Sequence, residues 1–153
     1  MDHPTGLHIT ITAGHGLSVS AIFTVTQHHQ GAPGIAHGGL LGLAFDETLG
    51  ATNWLLRATA VTAHLDVSYR LPVPVGSQVH INARIDAVSR RKIWASAEGR
   101  LGSPDGPLAV TAGSLFIQVP VEHFLRHGRA EDLAAAAHDP QVRGHLDSLD
   151  IAP

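Results

Sequence analysis

Hydrophobic and polar residues alternate with a period of two over most of this chain, a pattern that predicts a protein built mainly from β-strands. Two alternating runs, residues 7–12 and 17–26, flank the turn signal AGHG at 13–16. Alternating runs around a short glycine-containing loop are typical of a β-hairpin. The second run directs five apolar residues to one face: Leu17, Val19, Ala21, Phe23 and Val25.

One long segment, residues 39–57, breaks the alternation and is apolar on nearly all sides, as expected of a helix that is buried rather than lying on a surface. Alternation then returns at 61–70 and 79–88, and two further strands are predicted at 93–101 and 108–119, the last of them more fully buried. In the first of these, strict alternation places Thr62 on the face opposite Leu65 and Tyr69.

The tail from Val121 predicts one terminal helix that ends near Pro140. The pattern as a whole predicts an α+β fold: two strands, a long buried helix, four antiparallel strands and the terminal helix. Because a single apolar helix cannot cover itself, the sheet must wrap around it.

Size and composition narrow the possibilities. The chain has 153 residues and no linker or repeat, which predicts a single domain over residues 1–153. The net charge is −3 and the basic residues form no stripe, so a nucleic-acid partner is not expected. No cysteine is present, which excludes disulfides, a thiolate nucleophile and cysteine-based zinc sites. No apolar run approaches the roughly 18 residues of a membrane span, and the start lacks a signal-peptide pattern, so we expect a cytoplasmic protein without a membrane partner.

Charge is scarce. Only 15% of the residues are charged, where about 25% is usual, and none lies between His3 and Phe45. This deficit predicts that another subunit covers part of the surface.

Asp46 is the first charged residue after this stretch, and it lies on a stripe of small and polar residues along the predicted helix. At about 100° per residue, five others fall within roughly 40° of it: Gly39, Gly42, Gly50, Asn53 and Arg57. Each interior glycine costs about 1 kcal/mol of helix stability relative to alanine, so the stripe needs an offsetting reason. Either another helix packs closely there or a ligand runs along it, and the two are compatible at a subunit interface.

A carboxylate on a buried helix is expected to be paired with a cation or to be functional. Arg57 is a candidate partner for Asp46, and Glu47 is a competing functional carboxylate. His37-Gly38-Gly39 opens the helix, and unobstructed N–H groups at a helix start form a site for an oxyanion or carbonyl.

Twelve histidines raise the question of a metal. His123 and His127 are spaced i, i+4, but no HExxH-type glutamate accompanies them, so no metal site is expected.

Two segments resemble one known family: PGIAHGGLLGLAFDETLG at 33–50 and HLDVSYRLPVPVGSQV at 64–79. They are similar to the hotdog-fold acyl-CoA thioesterases, including the phenylacetate-pathway (PaaI-like) members. The resemblance covers a core at 7–119 and leaves out the tail at 120–153. It implies an antiparallel sheet wrapped around one long central helix, in a homodimer or a homotetramer of two dimers, with two sites at the subunit interface.

The resemblance also implies roles for individual residues. Asp46 would be the catalytic base or nucleophile, with Glu47 able to carry part of that role. The N–H of Gly38, with Gly39 as a second donor, would polarise the thioester carbonyl, and His37 would fix the loop. Thr62, sixteen residues after Asp46, would assist from the neighbouring subunit.

The implied reaction is hydrolysis of an acyl-CoA to free acid and CoA without a cofactor, coenzyme A being part of substrate and product. The stripe residues Gly39, Gly42, Gly50 and Asn53 would line the groove for the pantetheine and acyl groups. Arg90, Arg91 and Lys92 would bind the CoA phosphates, unless they form an ordinary solvated hairpin tip. One departure is Gly31, where many relatives have an asparagine that orients water or the carbonyl. A non-catalytic acyl-CoA-binding domain and a hotdog hydratase or dehydratase remain as alternatives.

Overall fold

The structure is a computed structural model that describes residues 7–138. Its strands are β1 (Ile9–Ala13), β2 (Ser18–Thr24), β3 (Ala60–Tyr69), β4 (Gln78–Ser89), β5 (Lys92–Leu101) and β6 (Leu108–Gln118). Its helices are α1 (Gly38–Leu55), α2 (Val121–His127) and α3 (Ala130–His138), with a short 3₁₀ helix at Gln27–His29.

All six strands form one antiparallel sheet in the order β1-β2-β4-β5-β6-β3. The long helix α1 connects β2 to β3 and packs across one face of the sheet. The predicted α+β class and the wrapped helix are therefore confirmed, as is the β1–β2 hairpin. In β2 the expected alternation is present, with Val19, Ala21 and Phe23 buried, although Leu17 before the strand is exposed.

The core lies between the sheet and α1. Its largest fully buried side chains come from both layers, and they include Phe23, Phe45, Leu49, Ile81, Ile93 and Phe116. The helix approaches β5 so closely at Gly99 that a Cβ there would lie 2.6 Å from Cζ of Phe45. A glycine at this position in the sheet is what allows the aromatic ring to pack against it.

The expectation that α1 is buried on all sides is wrong for the single chain. One face packs on the sheet, but Leu43 is 44% exposed and Trp54 is 60% exposed. The helix also ends at Leu55, two residues before the predicted end, and Arg57 has a left-handed backbone (φ 52°). Arg57 therefore does not extend the stripe.

Among the described strands, β3 lies at an edge of the sheet and pairs with β6 alone, and it contains a bulge at Ala63. Thr62 pairs with Phe116, whereas His64 pairs with Leu115, so one extra residue is inserted. A bulge shifts the alternation by one. Thr62 therefore shares the helix-side face with Leu65 and Tyr69, and the strict alternation predicted from the sequence is wrong here.

The tail also differs from the prediction. Two helices, α2 and α3, replace the single terminal helix, because the helical path is interrupted at Gly128. The predicted end near Pro140 lies outside the described residues.

Candidate functional site

The half-buried Asp46 lies in the middle of α1 and faces β3. The hydroxyl Oγ1 of Thr62 donates a hydrogen bond of 3.0 Å to its Oδ1. The bulge in β3 makes this contact possible, since it turns Thr62 towards the helix. Both residues belong to one chain, so the contact needs no neighbouring subunit, in contrast to the arrangement that the resemblance implied.

Neither carboxylate of α1 is neutralised by a cation of the described residues. Among the ion pairs of residues 7–138, none includes Asp46 or Glu47, and Arg57 does not pair with Asp46. Glu47 is exposed on the next position around the helix. Asp46 is thus held by a neutral hydrogen-bond donor, which leaves its second oxygen available.

The start of α1 has a specific capping arrangement. His37 is the N-cap residue, and its Nδ1 accepts a 2.9 Å hydrogen bond from the N–H of Gly39. The N–H groups of Leu40 and Leu41 donate to the carbonyl oxygen of His37, at 3.0 and 3.1 Å. Within the described part of the chain, the N–H of Gly38 has no partner. We expected the N–H groups of both Gly38 and Gly39 to be available as donors. The N–H of Gly39 is already bonded to the side chain of His37, so of these two the N–H of Gly38 is the one that stays available.

Tyr69 reinforces this turn. Its hydroxyl donates a 2.6 Å hydrogen bond to the carbonyl oxygen of Gly38. A Cβ on Gly38 would lie 3.3 Å from Cζ and Oη of Tyr69, so the glycine leaves room for the ring. The Gly38–Gly39 peptide is consequently held at both ends, by Tyr69 at its C=O and by His37 at its N–H. Tyr69 was not predicted to belong to the site, although the tyrosine lies in the second segment of the resemblance.

Gly31 lies against the same turn. A Cβ at this position would be 2.8 Å from Cα of His37. The loop is closed by hydrogen bonds from Gly31 N–H to the Ile35 carbonyl and from His37 N–H to the His29 carbonyl, at 2.9 and 2.7 Å. This close approach leaves no room for an asparagine side chain in the present loop conformation.

A cavity of about 330 Å³ opens beside Asp46. It is lined by Asp46, Glu47, Gly50, Asn53, Trp54, Ala58, Thr59, Ala60, Thr62 and Phe116. No atom lies within 4 Å of an ideal Cβ on Gly50, so this glycine faces open space.

The glycines along this side of α1 have different surroundings. Gly38 contacts Tyr69, and a Cβ on Gly42 would lie 3.8 Å from Tyr69 Oη, so these positions pack beneath the tyrosine. Gly50 and Asn53 line the cavity. Gly39 is exposed beside His37.

The cationic turn Arg90-Arg91-Lys92 lies away from Asp46. Together with Ser89, Trp94 and Ile117 it surrounds a separate cavity of about 550 Å³. Lys92 and Trp94 alternate with the buried Ile93, so they lie on the sheet face opposite α1. Two strand spacings, about 10 Å, separate the turn from the start of β3, because Lys92 pairs with Ile117 and Ile117 with Val61.

The histidine pair of the tail is on one helix face, with the rings of His123 and His127 4.8 Å apart. Over residues 7–138, no group of three or more potential metal-ligating side chains comes together. None of the described helices is both long and apolar enough to cross a membrane.

Comparison with known proteins agrees with this architecture. The family model described as "Thioesterase superfamily" matches residues 33–105, which include the helix start, Asp46 and Thr62. Among solved structures, the PaaI protein of the phenylacetic acid degradation operon of E. coli superposes with a TM-score of 0.69 at 15% identity, over 74% of this chain and 81% of that one. The chain has the hotdog fold, and its residues 33–105, just under half of it, are similar to the thioesterase superfamily.

Curated relatives are similar to this chain over part of their length. Acyl-coenzyme A thioesterase THEM4 of Xenopus laevis is 33% identical over 98 residues, 64% of this chain and 44% of that protein. This chain thus spans less than half of that curated relative. A hypothetical thioesterase of Streptococcus pneumoniae, solved with coenzyme A, gives a TM-score of 0.68 at 17% identity, covering 73% of this chain and 89% of that chain.

Proposed function

We propose that this protein hydrolyses the thioester of an acyl-CoA to a free carboxylic acid and CoA. The observation that carries the proposal is the Asp46 carboxylate, fixed by Thr62 at the edge of a cavity and paired with no cation of the described residues. The names of the relatives support the same reaction class, although they describe proteins more than twice the length of the matched region.

The chemistry assigns a role to each group. Asp46 acts on the thioester either as a general base towards water or as a nucleophile, and Thr62 orients it. The N–H of Gly38 donates to the carbonyl oxygen, on which negative charge develops. One preorganised donor of this kind typically contributes about 2.7–4 kcal/mol to transition-state stabilisation. His37 and Tyr69 hold the peptide next to this donor in place.

Gly38 and Asp46 of one chain cannot act on the same carbonyl. They are eight residues apart on α1, which corresponds to about 12 Å along the helix axis. A second copy with its α1 antiparallel to the first would bring its Gly38 opposite Asp46. The midpoint of this pairing is Gly42.

The exposed surfaces favour the same assembly. Leu43 and Trp54 are apolar and exposed on α1, and one edge of β3 has no strand partner among residues 7–138. An unpaired edge strand readily pairs with another chain. We therefore propose a homodimer with two composite sites, each using Asp46 and Thr62 of one subunit and Gly38 of the other. A tetramer of two dimers remains the alternative.

The other residues predicted from the sequence are proposed to bind substrate. Gly39, Gly42, Gly50 and Asn53 lie along the side of α1 that faces β3 and would border the path of the pantetheine and acyl groups. Arg90, Arg91 and Lys92 supply three positive charges for the phosphates of CoA, and phosphate binding by such groups is favourable. A single domain over residues 1–153 and a cytoplasmic location stay predictions from the sequence.

A thiol-release assay tests the function with short-, medium-, long-chain and aryl-CoA substrates. We expect the wild type to release CoA. Asp46→Asn should turn over the same substrates at least about 100-fold more slowly, since general acid–base groups contribute about 10²–10⁴-fold to the rate. Glu47→Gln is the comparison, and a clearly smaller fall than in Asp46→Asn would assign the main role to Asp46.

Two results would contradict the proposal. Wild-type protein that binds acyl-CoA without releasing thiol would favour a binding domain, and hydration of an enoyl-CoA without thiol release would favour a hydratase. Full activity of Asp46→Asn would remove Asp46 from the mechanism.

A further inference from the structure

Asn53 is a buried polar residue without an evident structural role for its side chain. It is 5% exposed, near the end of α1. Its backbone carbonyl accepts hydrogen bonds from the N–H groups of Leu56 and Ala58, which any residue type would provide. Its side-chain oxygen Oδ1 is buried and has no hydrogen-bond partner among the described residues.

Such an arrangement is unfavourable unless something else satisfies the oxygen. A buried acceptor without a partner costs about 1–3 kcal/mol, and an apolar residue of similar shape would avoid that cost. The neighbouring buried positions of α1 show how the chain treats other polar groups: Thr48 and Thr52 donate to carbonyl oxygens of their own helix. Asn53 is therefore the exception on this helix.

The side chain belongs to the cavity that contains Asp46 and Thr62. Asp46 and Asn53 are seven residues, or about 10 Å, apart along α1 and lie on the same side of it. The stripe residue between them is Gly50, which has open space where a side chain would be. An extended ligand group can therefore run from the carboxylate to the amide without meeting a side chain of the stripe.

The lining near Asn53 defines the chemistry of that group. Trp54, Ala58 and Phe116 are apolar, Thr59 is polar but neutral, and Arg57 is not among the lining residues. An amide oxygen accepts a hydrogen bond but carries no charge. A neutral donor on an uncharged part of the ligand fits both properties.

We propose, on the basis of the thioesterase function proposed above, that Asn53 accepts a hydrogen bond from a neutral O–H or N–H group of the substrate, about 10 Å from the thioester carbonyl. Two parts of an acyl-CoA carry such a donor: a hydroxyl on the acyl group, or an amide of the pantetheine arm. In either case Asn53 is a specificity-determining residue of the site.

The test compares Asn53→Leu with the wild type and with Asn82→Leu. Asn82 lies on the opposite face of the sheet, where its Nδ2 donates to Ser20 Oγ, so it is a matched asparagine outside the site. The substrates are pairs of acyl-CoAs with and without a hydroxyl on the acyl chain, and the corresponding acyl-N-acetylcysteamine thioesters, which lack most of the pantetheine arm.

We expect kcat/KM of Asn53→Leu to fall about 10- to 100-fold where the donor is present, as for loss of a buried hydrogen bond. A fall only for hydroxylated acyl groups identifies the acyl hydroxyl as the donor. An equal fall for all acyl-CoAs identifies an amide of the pantetheine arm: the distal amide if the fall is absent for the N-acetylcysteamine thioesters, which keep the amide nearest the sulfur, and that nearer amide if the fall persists in them. Asn82→Leu should match the wild type throughout.

If kcat/KM of Asn53→Leu equals that of the wild type for every substrate, the proposed role of Asn53 is overturned. Thiol release by the wild type in the same assay would still support the proposed thioesterase function. If the wild type releases no thiol, the dissociation constants of non-hydrolysable acyl-CoA thioethers decide the question separately. Binding by Asn53→Leu that is at least about tenfold weaker supports recognition, and equal binding refutes it. The thermal midpoint of Asn53→Leu should not fall, because an unpartnered polar group is removed. Asn53→Ser serves as the smaller variant if Asn53→Leu does not fold.

Discussion

Asp46 and Thr62 form the residue pair on which the proposed chemistry depends. Their hydrogen bond of 3.0 Å joins the middle of the long helix to the edge strand. The donor is neutral, so it orients the carboxylate without neutralising its charge. This combination suits a base or nucleophile better than an ion pair would, because a guanidinium partner would compete with the reacting group.

Replacement of Thr62 by valine tests this orientation. Thr62→Val keeps the branched shape and removes the hydroxyl, so we expect kcat to fall about tenfold or more, as for loss of a hydrogen bond to a charged group. Thr62→Ser retains the hydroxyl and should recover most of the activity. Steady-state kinetics of the three proteins measures the effect, and equal turnover by Thr62→Val and the wild type would show that the hydrogen bond does not matter.

Tyr69 acts through Gly38 and is a positioning residue. Tyr69→Phe keeps the ring that packs on Gly38 but removes the 2.6 Å hydrogen bond to its carbonyl oxygen. We expect kcat to fall about fivefold to tenfold with little change in KM, because a misplaced oxyanion donor weakens transition-state binding. A loss expressed mainly in KM or in thermal stability would contradict a positioning role.

At the scale of elements, the packing of α1 on the sheet depends on Gly99 in β5. A Cβ at this position would overlap the ring of Phe45, whose position is fixed in the core. We expect Gly99→Ala to lower the free energy of unfolding by about 1–3 kcal/mol through overpacking. Chemical denaturation measures this difference.

Gly113 in β6 provides the control for that prediction. It lies on the other face of the sheet, and a Cβ there would have its nearest neighbour 4.0 Å away, at the Ala95 carbonyl oxygen. Gly113→Ala should therefore be much less destabilising than Gly99→Ala. Equal losses in the two variants would mean that the glycine effect is conformational rather than steric.

At the scale of the whole molecule, the proposed site requires two chains. Leu43 is exposed on α1 in the single chain, so an aspartate there should be tolerated by the fold itself. In a dimer built on α1 the same aspartate would be buried against the partner. We expect Leu43→Asp to sediment as a monomer at micromolar concentration, to keep its far-UV circular dichroism spectrum, and to lose more than about 90% of its activity.

Leu125 provides the comparison on a different surface. It is 64% exposed on α2, a helix that contributes no residue to the proposed site. Leu125→Asp should leave both the sedimentation coefficient and the activity unchanged. A wild-type protein that sediments as a stable monomer while hydrolysing acyl-CoA would rule out the composite site.

Much of the architecture followed from local pattern alone. Period-two alternation predicted the strands, and the absence of alternation at 39–57 predicted α1, because each pattern reflects which side chains must face a common core. The N-terminal histidine and glycines of α1 and the isolated Asp46 were also visible in the sequence. Their significance came from being close together along the chain, where helix geometry fixes relative positions.

The tertiary structure decided what sequence spacing could not. The bulge at Ala63 turns Thr62 to the helix face, although strict alternation placed it on the other. The hydroxyl of Tyr69 donates a hydrogen bond to the carbonyl oxygen of Gly38, 31 residues earlier in the chain. The ring of His37 accepts the hydrogen bond of the Gly39 N–H. Each of these depends on how a strand registers against its neighbour or how a side chain folds back on a turn. The sequence by itself determined the strands, the long helix and the candidate carboxylate Asp46. Long-range packing determined which hydrogen-bond donors lie near that carboxylate and at the helix start. Contacts between distant residues leave no local periodicity, so the sequence pattern does not show them.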